Sequence, residues 1–455
     1  MCSLKTPQRQ KTQIDHGYAW VILGSCFLMR FILDGFWSVL GMLMIKWEDH
    51  FSVSASQTAW AATLFVMVAY VTSPVSSALG NRLTYRVTVI GAGMIASTCL
   101  MAASLATHFW YLYVILPILG IGMSVVFQTS SSYYVRHFNK RFAFANGLFS
   151  IAPAIAFFIF PPFTKVLIDY FGLRGALQIV SAITANICVC GALLRSPKNV
   201  KTQDGHPIDV KNDEKITNNN SILKDIVKDF DLVLFRKVRF IFQSVINGFL
   251  YGGFVSLLIY IIPYSESVGI TDIKSPLLMS TVAACSLTAR LIPFGYLVDK
   301  NVISASSLAG AASILSGTVS ILMTFMENFA GLAVLAGLYG IGWGVTSTFI
   351  IVIVAHSGGS KESSSGAIAW TLLGRGVGSF VCIYGGGVLR DEFSSYQPSL
   401  ILCGVFGLCL ALNILSDPFL ERWKSRHRPT ENQTTLKSID YIYSSIPDVT
   451  TSAPV

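Results

Sequence analysis

The chain has 455 residues, 53% of them hydrophobic and only 13% charged, and its mean hydropathy is +0.59. A soluble domain carries roughly twice that charged fraction, which excludes the soluble enzyme classes and points to a chain that crosses the bilayer repeatedly. The net charge of +9 does not point to nucleic acid, because the basic residues sit in short segments between apolar runs, where they set orientation.

The first seventeen residues are polar and basic, with no cleavage-site pattern after the first apolar run, so no signal peptide is expected. A helix needs about 20 apolar residues to span the hydrocarbon core. Twelve such segments are predicted, at 18–45, 57–79, 85–106, 109–134, 142–168, 174–195, 238–263, 275–298, 302–326, 329–355, 363–388 and 396–420. The predicted organisation is a cytosolic N-terminus (1–17), a six-helix half (18–195), a polar central loop (196–237), a second six-helix half (238–420) and a cytosolic tail (421–455). The loop, with Lys211-Asn212-Asp213-Glu214-Lys215 and Asn218-Asn219-Asn220-Ser221, reads as a flexible linker ending in a short amphipathic helix near 222–235.

Of the 33 Lys and Arg, the outer loops hold only Lys46, Lys165, Arg174, Lys274 and Arg390 when both termini are cytosolic. That asymmetry predicts the orientation. The sequons at Asn219 and Asn432 then lie inside and are not expected to be glycosylated. The cysteines, all but Cys2 within predicted spans, show neither extracellular disulfide placement nor zinc spacing. Cys188 and Cys190 read as small apolar packing residues.

The two halves echo each other. Gly80-Asn81-Arg82-Leu83-Thr84-Tyr85-Arg86 and Gly295-Tyr296-Leu297-Val298-Asp299-Lys300 are short charged turns at equivalent places in six-helix units. Six plus six helices around a long loop is the layout of the major facilitator superfamily, whose substrate sits near the midplane between rocking halves. Gly91, Gly93, Gly120, Gly122, Gly337, Gly340, Gly342 and Gly344 are predicted to let helices approach closely. Gly340-Ile341-Gly342-Trp343-Gly344 follows an apolar helix and lacks a βαβ setting, so it is not read as a phosphate loop. No Ser/His/Asp constellation, Walker sequence or HExxH pair is present, and no metal or other cofactor is implied.

Four charged residues lie inside apolar segments: Arg30, Asp34, Arg290 and Arg375. A charge at the bilayer centre costs about 3 kcal/mol even on insertion scales, so such groups face a cavity or a partner. Arg30 and Asp34 are four apart and share a helix face. Two readings stand for the pair: mutual neutralisation for insertion, or a carboxylate at Asp34 that takes a coupling proton. Arg375, flanked by Gly374 and Gly376, is either a second anion contact or a structural ion-pair partner. With Arg30 and Asp34 paired, Arg290 and Arg375 bias the interior toward anions. Phe36, Trp37, Tyr70, Phe127, Phe254, Tyr260, Trp343 and Trp370 are aromatic candidates for shaping a cavity or simply for packing. His356, near the end of span ten, reads as an interfacial histidine or a proton sensor.

Two motifs carry a family resemblance. Asp15-His16-Gly17-Tyr18-Ala19-Trp20 leads into span one, and His137-Phe138-Asn139-Lys140-Arg141-Phe142-Ala143-Phe144-Ala145-Asn146-Gly147 leads into span five. Both resemble signatures of the monocarboxylate transporter family, and Asn81, Arg82 and Arg86 resemble its second cytosolic turn. Physically, Asp15 suits a helix N-terminus, Tyr18 and Trp20 suit the interface, Lys140 and Arg141 suit the cytosolic side, and Gly147 suits close packing. These residues are read as structural and gating elements, with direct substrate contact as the other reading.

The resemblance implies that Arg290 contacts a substrate carboxylate, for which an arginine fork is well shaped. The other reading is a structural arginine bonded to carbonyl groups. The chain also departs from the family. Ser286 stands where proton-coupled lactate carriers have an aspartate, Ser38 stands where they have a span-one lysine, and Cys382-Ile383-Tyr384 replaces a glycine-proline-proline pattern. Phe36 and Trp37 adjoin the Ser38 position. The expected fold is an all-α membrane protein of the major facilitator type. The expected function is transport of monocarboxylates or related small organic anions across the plasma membrane, by proton symport. The alternatives are proton-independent diffusion of a larger zwitterion, such as an aromatic amino acid, and a non-transporting membrane sensor or scaffold. The resemblance also implies a single-span immunoglobulin-like ancillary partner.

Overall fold

The structure, a computed structural model, describes residues 17–73, 75–76, 84–138, 142–194, 241–270, 273–291, 304–357 and 361–416. The central loop, the tail, residues 77–83 and 292–303 of the two charged turns, and Asp15, Lys140 and Arg141 lie outside the described residues.

Every element among the described residues is helical. The order is α1 (Gly17–Phe51), α2 (Ala55–Val71), α3 (Tyr85–Ser104), α4 (Trp110–Tyr133), α5 (Phe142–Ala192), α6 (Asn247–Val255), α7 (Leu257–Ser267), α8 (Lys274–Leu291), α9 (Ala305–Met323), α10 (Phe329–Ser357), α11 (Lys361–Phe393) and α12 (Gln397–Leu415). A turn of 3-10 helix, Tyr134–His137, extends α4, and a π-helical turn, Ile241–Ile246, precedes α6. Backbone polar groups have no water partner in hydrocarbon, so helices satisfy them internally.

Nine helical stretches among the described residues are long and apolar enough to cross a bilayer, against twelve expected. Three features make the difference. α5 covers two expected spans in one helical stretch of 51 residues, kinked at Gly172, whose φ is 68°. α2 has 17 residues. α8 carries Ser275, Ser280, Thr281, Ser286, Thr288 and Arg290 within its 18 residues; a helix this polar belongs inside a bundle rather than against lipid.

Packing brings the early helices against the late ones. Gly41 of α1 sits so close to the Ile259 carbonyl of α7 that no side chain fits there. Trp60 of α2 packs edge-on against Phe380 and Tyr384 of α11, with centroids 5.6 and 5.1 Å away. The Ser280 hydroxyl of α8 donates to the Phe158 carbonyl of α5 at 2.7 Å. Three helix pairs, α1 with α7, α2 with α11 and α5 with α8, therefore join the two parts of the chain. Between them lie the four charged residues.

Candidate functional site

Arg30 and Asp34 project from the same face of α1, and the Arg30 Nε donates to Asp34 Oδ2. Their side chains keep 19% and 15% of their exposure, so the pair is largely enclosed by the bundle. The Arg30 guanidinium carbon lies 4.2 Å from the Phe127 ring centroid of α4 and 6.0 Å from that of Phe149 in α5.

Arg290 is one residue from the end of α8. Its Nη1 donates to the Ser150 carbonyl of α5 at 3.1 Å and its Nη2 to the Ser347 hydroxyl of α10 at 3.0 Å. Its guanidinium carbon lies 5.3 Å from the Trp343 ring centroid. Its Nε is buried without an acceptor. Arg290 thus spans α8, α5 and α10, and its Nε is the nitrogen left with no partner.

Arg375 of α11 rests on two tyrosines, with its guanidinium carbon 4.9 Å from the Tyr70 ring centroid and 4.7 Å from that of Tyr251 in α6. Its Nε also lacks an acceptor. Its flanking glycines have a visible purpose: a Cβ on Gly376 would meet the Tyr70 Cβ at 3.1 Å. Asp34 interacts electrostatically with Arg30, Arg290 and Arg375 together. It is the carboxylate that acts on both Arg290 and Arg375 among the described residues. The four charges predicted separately from hydropathy therefore form one cluster, each arginine set against an aromatic ring.

The hydroxyl candidates lie differently. Ser38 is 1% exposed and its hydroxyl donates to the Gly35 carbonyl one turn earlier at 2.7 Å. Ser286 is fully buried with an unpaired hydroxyl, and a Cβ on Gly344 of α10 would lie 3.0 Å from it. Phe36 is core, packing on Phe65 at 5.4 Å. Trp37 is half-buried against Phe65 and Tyr70, at 5.2 and 5.7 Å, and so adjoins the Arg375 platform. Phe254 and Tyr260 are fully buried packing residues, and the Tyr260 hydroxyl donates to the Ile383 carbonyl.

Among the motif residues, Trp20 packs edge-on against Phe138 at 5.3 Å, and the Tyr18 hydroxyl donates to the Leu193 carbonyl at 2.6 Å. The start of α1 is thereby tied to the ends of α4 and α5. Gly17 is open to its surroundings and Arg86 is exposed in the first turn of α3. Gly147 lies within α5, but its neighbours there, like the side chain of His356, are outside the described residues. No group of three His, Cys, Asp or Glu is placed to hold a metal among the described residues.

Sequence reasoning missed Tyr251, Phe149, Ser150 and Ser347. Tyr251 precedes Gly252 and Gly253, which pack close to α11 and α12, a signal of proximity at best. Ser150 contributes a backbone carbonyl, which any residue type supplies.

Comparison with known proteins agrees with this architecture. The profile of the Major Facilitator Superfamily matches residues 26–381. Monocarboxylate transporter 12 of Rattus norvegicus is 27% identical over 410 residues, covering 86% of this chain and 83% of the relative. Monocarboxylate transporter 4 of Mus musculus is 25% identical over 408 residues, covering 89% and 84%. Among solved structures, the POT family transporter PepTSo matches with a TM-score of 0.70 at 12% identity, over 89% of this chain and 98% of its own. A POT family transporter in complex with 5-aminolevulinic acid matches with a TM-score of 0.69 at 14% identity, over 87% and 96%. The chain belongs to the Major Facilitator Superfamily, as a multi-pass membrane transporter whose relatives are monocarboxylate transporters.

Proposed function

We propose that the chain carries monocarboxylates or related small organic anions across the plasma membrane by alternating access, linked to protons, with Arg290 as the principal anchor. The observation that supports this reading is that Asp34, paired with Arg30, also lies within electrostatic reach of Arg290 and Arg375, whose Nε–H groups are buried without an acceptor. A carboxylate entering this cluster meets the buried, unpaired Nε–H donors of Arg290 and Arg375, and charge-assisted bonds to these replace the water it gives up. The names of the relatives support the substrate class.

Asp34 is the group suited to a coupling proton. Neither Ser38 nor Ser286 titrates in that range, so the span-one lysine and span-eight aspartate of the lactate carriers have no ionisable replacement at those positions. With both termini cytosolic, the turns around Ser52 and Ser394 face outward. The family resemblance also supports an immunoglobulin-like single-span partner for surface delivery.

The test is uptake in a transport-deficient cell expressing the full chain, with an imposed pH gradient. Labelled lactate and labelled aromatic amino acids are compared, and the assay is repeated with Arg290→Ala at equal surface expression. Anion uptake that rises with external acidity and is lost in the variant is expected. Uptake of the amino acids alone, insensitive to pH, would overturn the reading in favour of facilitated diffusion of a zwitterion.

A further inference from the structure

The charges of the central cluster do not balance. Asp34 is taken up by Arg30. Arg290 and Arg375 remain, and neither is paired with a carboxylate among the described residues. Both have a buried Nε–H without an acceptor.

The two sites share one feature. The carbon of each guanidinium lies over an aromatic ring: Trp343 for Arg290, and Tyr70 and Tyr251 for Arg375. A ring supports a guanidinium through its π-face and takes none of its N–H donors. Arg290 already gives one Nη1–H to Ser150 and one Nη2–H to Ser347, and Arg375 also interacts with the Tyr70 side chain, but the Nε–H of each stays without an acceptor and can meet an oxyanion in the guanidinium plane. Tyr251 joins the two sites. Its ring supports Arg375 and its side chain lies near Arg290 as well.

We propose that the site selects organic dianions, with one carboxylate or equivalent oxyanion on Arg290, a second on Arg375, and the Tyr251 hydroxyl donating between them. This rests on the anion-transport reading above and narrows it. A monoanion leaves one of the two arginines desolvated and unpaired. A dianion compensates both, and desolvated charge is stable only when compensated.

The experiment measures uptake of labelled malonate, succinate, glutarate and adipate against propionate, butyrate and valerate, in cells expressing the full chain with surface protein quantified. At matched low concentration, the best dicarboxylate is expected to enter about tenfold or more faster than the best monocarboxylate, the factor for one charge-assisted hydrogen bond made or missed. Arg375→Gln is expected to reduce that ratio by about tenfold. Tyr251→Phe keeps the ring beneath Arg375, and its loss of the hydroxyl is expected to reduce the ratio by about threefold or more. If Arg375→Gln fails to reach the surface, the ratio in Tyr251→Phe decides.

Monocarboxylate uptake equal to or faster than every dicarboxylate would overturn the inference and leave the anion-transport reading standing. A ratio unchanged in the surface-expressed variants would also overturn it. Uptake of neither class by the unmodified chain removes both.

Discussion

Asp391, in the last turns of α11, accepts the backbone N–H of Ser56 at 2.8 Å in the first turn of α2, across 335 residues of sequence. Its other oxygen accepts the N–H of Ala55 at 3.1 Å. The carboxylate thus closes the positive end of α2, where unpaired N–H groups and the helix dipole favour an anion. Arg390 beside it reaches Glu48 of α1 at 2.9 Å, and the Tyr396 hydroxyl lies 3.5 Å from the same carboxylate. One end of the bundle is latched by this group. Alternating access requires the latch to break in each cycle. Asp391→Asn keeps the shape and removes the charge, so the closed state should lose about 1 kcal/mol, a roughly fivefold shift toward opening. The check is the rate at which an impermeant maleimide labels Thr58→Cys, a position buried in the latched structure, with and without Asp391→Asn. An unchanged rate would show that the latch does not hold the closed state.

The same end depends on close backbone approach. A Cβ on Gly387 would lie 3.0 Å from the Ala55 carbonyl and collide with the Ala59 side chain. Gly387→Val should force α11 away from α2, with faster labelling at Thr58→Cys and slower transport. Gly91 of α3 has nothing within 4 Å of a new Cβ, so Gly91→Ala should leave both measurements within about twofold and stabilise the helix by about 1 kcal/mol. Similar behaviour of the two variants would mean that helix propensity, not close packing, governs these positions.

At the centre, Arg290 makes two directional bonds to different helices, to Ser150 and to Ser347. A lysine keeps the charge but not the planar fork. Arg290→Lys should therefore reduce anion uptake by about tenfold or more at normal surface level, chiefly through lost geometry. Trp343→Leu removes the ring beneath the guanidinium and should cost about 1 kcal/mol of binding, read as a roughly fivefold rise in KM. Uptake kinetics on surface-quantified cells check both. Full activity in Arg290→Lys would reduce this residue to a source of positive potential.

How much of this was readable beforehand follows from the range of each interaction. Hydropathy exposes a charge in an apolar run, so Arg30, Asp34, Arg290 and Arg375 stood out, and the four-residue spacing of the first two carried their pairing. The helix order followed from composition. The glycines expected to allow close approach divide: a Cβ on Gly93 would meet Ile187 at 2.9 Å, whereas one on Gly91 would meet nothing, and composition cannot tell the two faces apart. The aromatic platforms needed tertiary structure, since one ring among 30 Phe and 17 Tyr carries no mark of the arginine above it. The latch was unreadable for the same reason: its acceptor is near the end of the chain and its donors are backbone groups near the start. Ser38 and Ser286 were found by alignment to a motif, and one hydroxyl turns onto its own helix while the other is enclosed beside Gly344.

The last prediction concerns Asp34. Ionised, it neutralises Arg30 and leaves two positive charges in the cluster. Protonated, it releases Arg30 and leaves three. An anion should therefore bind more tightly after protonation and leave more readily after deprotonation, which is the order a proton-linked carrier requires. Asp34→Asn fixes the cluster in the more positive state. Its KM for an anion should fall, its maximal rate should fall by about tenfold as release slows, and its dependence on external pH should flatten. Adding Arg30→Gln removes the charge that Asp34 no longer balances, and should raise KM again without restoring the pH dependence. Initial rates at several external pH values, for both variants and the unmodified chain, provide the check. An Asp34→Asn carrier with the full pH dependence of the unmodified chain would move proton coupling to another group, and a rise in its KM would contradict the charge argument itself.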